Sequence, residues 1–270
     1  MKTRPAAALH SFLRSAGIVF SVFFVQGRKA RRTRFFFLLS FLPVAVSLAI
    51  KFNQIFSGRM ARGNGYLFDN MIMLFYLQLI ILILALFYGT SVCAEEVEGK
   101  TLPYLVTRPL PKAAIVLGKY GAYTIVMIGM VALGMVFSFI VLNIDRLLNP
   151  AIYRVLVRYL GVLILGIMAY TAMFTFLGSF MKRAIFFGLL FCFGWENVIQ
   201  YFPGSTQRLA IAHYLKSFLP ASSSGRFSIL TFRLEPTRTG LALVMLFVIT
   251  ATLLALACLF FTKKEYILDD

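Results

Sequence analysis

Residues 94–119 read Ala-Glu-Glu-Val-Glu-Gly-Lys-Thr-Leu-Pro-Tyr-Leu-Val-Thr-Arg-Pro-Leu-Pro-Lys-Ala-Ala-Ile-Val-Leu-Gly-Lys. The whole chain holds only 10 acidic residues, and Glu95, Glu96 and Glu98 fall within four positions of one another. Long apolar runs flank the stretch on both sides, from about Asn70 to Cys93 and from about Ile115 to Leu142. Runs of that length and composition are membrane spans. A short, charged, proline-punctuated segment between two spans is a surface that meets water and whatever is dissolved in it.

Bulk composition agrees. The 270 residues are 60% hydrophobic, with a mean hydropathy of +0.85. Charged residues make up 14%, well under the roughly 25% of a soluble domain. The net charge of +17 would suggest nucleic acid in a soluble protein. Here the cations flank apolar spans, as membrane insertion and anionic headgroups select, and no basic patch sits on a soluble fold. Nucleic acid is therefore not an expected partner, whereas membrane lipid is. Cys93, Cys192 and Cys258 lie far apart, within or beside apolar runs, with neither metal nor disulfide spacing.

Outward from the stretch, the chain divides at about residue 34. Residues 1–34 carry Lys2, Arg4, Arg14, Arg28, Lys29, Arg31, Arg32 and Arg34. Leu9, Phe12, Leu13, Ala16, Phe20, Phe23 and Phe24 recur among them at helical spacing, which predicts an amphipathic helix along the membrane interface. The run Ser15–Val25 has the length of a signal-peptide core. No small-x-small cleavage pattern follows it and cations come at once, so a retained helix is expected.

Residues 35–270 are expected to form one domain of six spans. These are Phe35–Ile50 (kinked at Pro43), Asn70–Cys93, Ile115–Leu142, Leu156–Met181, Ala184–Phe202 and Gly240–Phe261. Lys51 and Lys119 are expected to reach out to the surface from near their span ends. The long loop 203–239 should face outward and hold a short helix within Gln207–Leu219, stopped by Pro220. Gly118, Gly121, Gly129, Gly161 and Gly166 are candidates for close helix approach.

Lysine and arginine set the orientation. Lys100, Arg108, Lys112, Lys119, Lys182, Arg183, Lys263 and Lys264 join the basic N-terminal segment on one side. Only Lys51, Arg59, Arg62, Arg146, Arg154 and Arg158 lie in the short loops of the other. Both termini and the acidic stretch are thus assigned to the cytosol, in the cell (inner) membrane.

Gly99-Lys100-Thr101 superficially suggests a phosphate loop. Glu-Glu-Val-Glu precedes it, which would repel a triphosphate, and so does a membrane span rather than a buried strand. A better reading is a turn at Gly99 and a stubby helix over Leu102–Thr107. Thr101 would cap that helix, Pro103 sits in its first turn, and Pro109 ends it by biasing Arg108 away from helical geometry. The plainer alternative is a solvated connecting loop.

The pattern Glu96-x-Glu98-x-x-Thr101-Leu102, then Leu105-Val106-Thr107-Arg108-Pro109-Leu110-x-Lys112, then Ile115-x-x-Gly118-Lys119 resembles the first cytosolic loop of ABC transporter permeases of the ABC-2 type. It is most similar to the six-span subfamily whose ATPase is a separate chain. Lys100 departs from the acidic or small polar residue expected between Gly99 and Thr101. The resemblance implies an all-α membrane protein with six transmembrane helices and an N-terminal interfacial helix. It also implies a cytosolic coupling helix between spans two and three and a large outer loop before span six. It further implies a second permease copy or paralogue and two copies of an ABC ATPase, which would hold the ATP and Mg; this chain would bind no cofactor. Glu95, Glu96, Glu98, Gly99, Thr101, Arg108 and Pro109 would form the contact to that ATPase, and ATP-driven export would be the function. A non-transporting scaffold that borrows the permease fold is the alternative.

Within the spans, Gln78, Glu196 and Asn197 are candidates for a substrate pathway, because polar groups in lipid are functional candidates by default. For Glu196 the plain reading is a position near the outer interface, beside Trp195. An intramembrane enzyme using Glu196 and His213 is a further reading, but no paired catalytic constellation supports it.

Overall fold

The computed structural model describes residues 5–56, 68–69, 71–98, 111–181, 183–196, 198–199, 210–219 and 238–263. The elements are helices, as lipid demands of a spanning chain that must satisfy its own backbone. α1 covers Pro5–Lys29, α2 Arg31–Ser40 and α3 Leu42–Phe56. α4 opens as a π-helix over Ile72–Ile80 and continues as an α-helix over Ile81–Glu98. α5 is Lys112–Leu142 and α6 is Ala151–Phe180. α7 begins as Ala184–Leu190 and becomes π-helical over Phe191–Glu196. α8 is Ile211–Lys216 and α9 is Thr239–Lys263.

Five segments are long and apolar enough to cross a membrane: Arg31–Phe56, Leu74–Ala94, Lys112–Leu142, Ile152–Phe180 and Thr239–Lys263. The chain is a multi-pass membrane protein. The remaining expected span, Ala184–Phe202, appears as the shorter apolar helix Ala184–Glu196, below the roughly 20 residues a straight crossing needs. The break between α2 and α3 falls at Phe41, two residues before Pro43. Proline lacks an N–H and its ring clashes one turn back, so the expected kink has its expected cause.

Contacts fix the helix directions. Arg32 meets Tyr123 and Ser40 meets Met130, so α2 and α5 run parallel. Tyr76 bonds Ser138 (3.1 Å) while Tyr88 packs on Tyr123, so α4 runs against α5. Phe68 packs on Tyr159 and Thr90 lies beside Gly178, so α4 and α6 run parallel. Phe260 packs on Phe176 and Phe180, which brings the C-terminal ends of α6 and α9 together.

α4 and α6 form the most buried pair, and α9 and α2–α3 present the most surface. In lipid, close backbone approach replaces hydrophobic drive between helices. A Cβ at Gly89 would stand 2.7 Å from Phe174 Cβ, and one at Gly178 2.7 Å from the Thr90 carbonyl oxygen. Neither position carries a side chain without parting α4 from α6. Among the expected glycines, Gly118 receives Ala16 and Val19 of α1 at 2.8 Å, and Gly166 faces Leu215 at 3.2 Å. Gly121 makes ordinary contact with Phe20, while Gly129 and Gly161 face open space.

One expectation for the lysines is corrected. Lys119 does not reach the surface. It is fully buried, with Nζ 4.6 Å from the centre of the Phe23 ring. α1 lies along the first turns of α5 and covers it there, so the ammonium takes an aromatic face in place of water. Lys51 reaches Asp145 in the turn after α5, and this ion pair ties the end of α3 to that turn. α1 itself puts Phe12, Ala16, Phe20, Phe23 and Phe24 toward the bundle, as its periodicity predicts, and leaves Leu13 outside.

Candidate functional site

Two polar clusters stand out of the apolar bundle. The first surrounds Glu196. The π-helical end of α7 turns its carboxylate inward, and it is 1% exposed. Tyr170 of α6 donates its O–H to Glu196 Oε1 at 2.6 Å, and the backbone N–H of Ala212 donates to the same oxygen at 2.7 Å. One carboxylate thus joins α6, α7 and the start of α8. Trp195 beside it is exposed, whereas Glu196 points inward. Lys216, half-buried at the end of α8, faces the same carboxylate. Burial pushes its ammonium down to about 8, and the attraction of Glu196 opposes that shift.

Gln78 and Glu196 line one small pocket together with Tyr170, Ala212 and Lys216. Gln78 also lines an adjoining cavity of about 260 Å³ walled by Leu82, Ile83, Leu86, Phe87, Leu189 and Cys192. Both candidate residues lie on the two π-helical stretches, where an extra residue per turn re-aims side chains. The structure therefore brings Gln78 and Glu196 together; Asn197 lies outside the described residues. His213 is 3% exposed and packs edge-on to Tyr214. Among the described residues, no group of three His, Cys, Asp or Glu side chains is placed to hold a metal.

The second cluster sits at the corner between α1 and α2, and sequence reading missed it. The Arg32 guanidinium lies 5.3 Å from the centre of the Tyr88 ring and 5.2 Å from that of Tyr123. It also donates to Tyr123 Oη at 3.1 Å. Thr33 Oγ1 donates to the Gly27 carbonyl and lies 2.7 Å from Tyr88 Oη. Lys119 over Phe23 completes the group. The corner is thereby held to α4 and α5, the two helices that enter and leave residues 99–110. In the sequence Arg32 is one cation in a basic run and the tyrosines sit unpatterned in apolar stretches, so no spacing betrays the site.

Of the expected ATPase contact, Glu95, Glu96 and Glu98 lie on the last turn of α4, not in a loop. Glutamate is a good helix former, and the helix persists through Glu98. Negative charge at a helix C-terminus works against the helix dipole, by about 0.3–1 kcal/mol per group. Gly99, Thr101, Arg108 and Pro109, and the expected helix over Leu102–Thr107, lie outside the described residues.

A model of the family described as ABC-2 family transporter protein matches residues 27–195. The chain belongs to the ABC-2 transporter family. The match begins at the α1–α2 corner and ends beside Glu196, so it takes in Arg32, Tyr88 and Tyr123, and Gln78 and Tyr170, while Glu196 and α8 lie beyond it. No curated protein gives a significant match. ABC-2 membership makes the chain a membrane component of a transporter and accords with its apolar helices.

Proposed function

We propose that the chain is the membrane-spanning permease subunit of an ATP-driven exporter, working with a separate ABC ATPase in two copies and with a second permease chain. Family membership over residues 27–195 is the observation that carries this reading. The chain crosses the inner membrane six times, with both termini in the cytosol. Support for the sixth crossing comes from direction: α6 and α9 pack with their C-terminal ends together, so the chain between them must return through the bundle. α7, and residues after it, make that return.

The contact with the ATPase is formed by Glu95, Glu96, Glu98, Gly99, Thr101, Arg108 and Pro109. Three carboxylates on a helix C-terminus destabilise that helix, which fits residues selected for a basic partner surface. ATP and Mg are bound by the partner. Closure of the ATPases shifts the ends of α4 and α5, and the substrate passes along the cavity beside Gln78 and Glu196, with Asn197 as a further candidate contact.

The test is co-purification with candidate ABC ATPase subunits from the same organism. Glu96→Lys with Glu98→Lys is expected to abolish capture of the ATPase and the stimulation of its ATP turnover. Unchanged capture and turnover in that variant would remove the coupling role.

A further inference from the structure

We propose that the corner between α1 and α2 is a binding site for an anionic phospholipid, with Arg28, Lys29, Arg31 and Arg34 on the headgroup. The sequence holds no aspartate or glutamate before Asp69. All four of these cations are exposed. Arg28 lies over the Phe24 ring, 5.8 Å from its centre, and is exposed. Among the described residues none of the four is paired with a carboxylate; the ion pair found there joins Lys51 and Asp145. A phosphodiester supplies the charge this corner lacks.

The apolar surface beside the cations decides between a lipid and a soluble anion. On α1, Ile18, Val22, Val25 and Lys29 follow at helical spacing along one face, and the first three are 54%, 55% and 51% exposed. On α2, Arg31, Arg34, Phe35 and Leu38 share a face, with Phe35 64% and Leu38 72% exposed. Each helix therefore carries an apolar stripe that ends in cations at the corner. α2 belongs to the span Arg31–Phe56, so Phe35 and Leu38 face acyl chains and the cations beside them lie at headgroup depth, where an acidic protein or a nucleic acid offers no apolar cover. A phospholipid covers the stripes with its acyl chains and the cations with its headgroup.

The occupant would bear on the rest of the molecule through Arg32. That residue lies between Arg31 and Arg34 in sequence but points inward, between Tyr88 and Tyr123. Lipid binding is read without any ATPase, so this inference and the exporter reading stand or fall separately.

The experiment titrates phosphatidylglycerol or phosphatidylcholine of identical acyl chains into the delipidated, detergent-solubilised full chain. Bound lipid is counted by native mass spectrometry. Saturable binding of phosphatidylglycerol is expected, with phosphatidylcholine at least tenfold weaker. Neutralising Arg28, Lys29, Arg31 and Arg34 to Gln should weaken phosphatidylglycerol by at least tenfold. Neutralising Arg154, Arg158, Arg183 and Arg238 removes the same charge elsewhere and should change it less than twofold. Should the fourfold variant fail to fold, Arg31→Gln with Arg34→Gln replaces it, with a several-fold loss expected. A phosphatidylglycerol with a photoreactive acyl chain should cross-link to peptides containing Val22–Val25 or Phe35–Leu38.

Equal weakening by both sets of substitutions would mean diffuse attraction and overturn the site. So would wild-type binding in the corner variants, equal affinity for phosphatidylcholine, or cross-links confined to other helices. Displacement of the lipid by inorganic phosphate alone would overturn the part assigned to the acyl chains.

Discussion

The corner at Arg32 and the junction at Glu196 solve the same problem in different ways. Each holds a charged group inside an apolar bundle, and they lie roughly three turns of α4 apart. At the corner the cation is met chiefly by the faces of Tyr88 and Tyr123, with one hydrogen bond to Tyr123 Oη beside them. At the junction the carboxylate is met by one O–H and one N–H aimed at a single oxygen. A ring face attracts a cation over a broad area, so the guanidinium keeps its partner while sliding. A charge-assisted hydrogen bond weakens steeply with angle and holds one geometry. The first arrangement suits a joint that moves, beside the helices that lead to residues 99–110. The second suits an anchor, where α7 and α8 must stay seated on α6.

The largest expected effect of breaking this contrast is at the anchor. Glu196→Ala strips two charge-assisted bonds at once and leaves the Tyr170 hydroxyl and the Ala212 amide unsatisfied. Bonds to charged groups are worth about 1.5–3 kcal/mol each, so a loss of at least about 3 kcal/mol is expected. It would be read as a fall in thermal midpoint in detergent and in folded yield. Glu196→Gln keeps an acceptor and should retain most of the stability. A Glu196→Ala protein as stable as wild type would show that α8 is held by other contacts.

The corner should respond more mildly in stability and more strongly in motion. Arg32→Ala removes two ring contacts and a hydrogen bond, about 1–2 kcal/mol in a desolvated setting. The expected signature is faster hydrogen exchange across α1 with little change in α6 and α7. A double-mutant cycle sharpens the distinction. Arg32→Ala combined with Tyr123→Phe should be non-additive, because both alter one contact. Arg32→Ala combined with Glu196→Gln should add to within about 0.5 kcal/mol. Coupling of the second pair as large as that of the first would merge the two clusters into one network.

These two clusters also mark where the sequence can be read and where it cannot. The long apolar runs of α4, α5, α6 and α9 announce themselves, because lipid accepts few other sequences of that length. Pro43 announces the break before α3 because the cause is local. Glu196 and Gln78 stand out as polar residues in apolar runs, but nothing in the spacing reveals that they meet. Their meeting depends on two π-helical stretches, which carry no composition signature. Lys119 reads as a surface lysine one turn inside a span, and only the packing of α1 against Gly118 buries it. Arg32 is hidden for a related reason. It shares a basic run with residues that face outward, and the tyrosines that select it come from two other helices.

The smallest predicted effect tests the anchor through its neighbour. Lys216 titrates at about 8 in the folded chain against an ordinary value of 10.5, chiefly through burial, with Glu196 resisting. Between those values the unfolded chain holds a proton that the folded chain has released. Stability must therefore rise with pH across that window, and the pH dependence vanishes below about pH 8, where both states are protonated and the cost of the buried ammonium is fully present. Raising the pH from 7.5 to 9.5 should lift the thermal midpoint of the wild type relative to that of Lys216→Met by one to a few degrees. The difference between the two proteins isolates this group from the other lysines and the tyrosines. A wild-type midpoint that falls relative to the variant would mean that the attraction of Glu196 outweighs burial. The anchor would then be an ion pair held in place by charge, and the contrast with the Arg32 corner would lose its chemical basis.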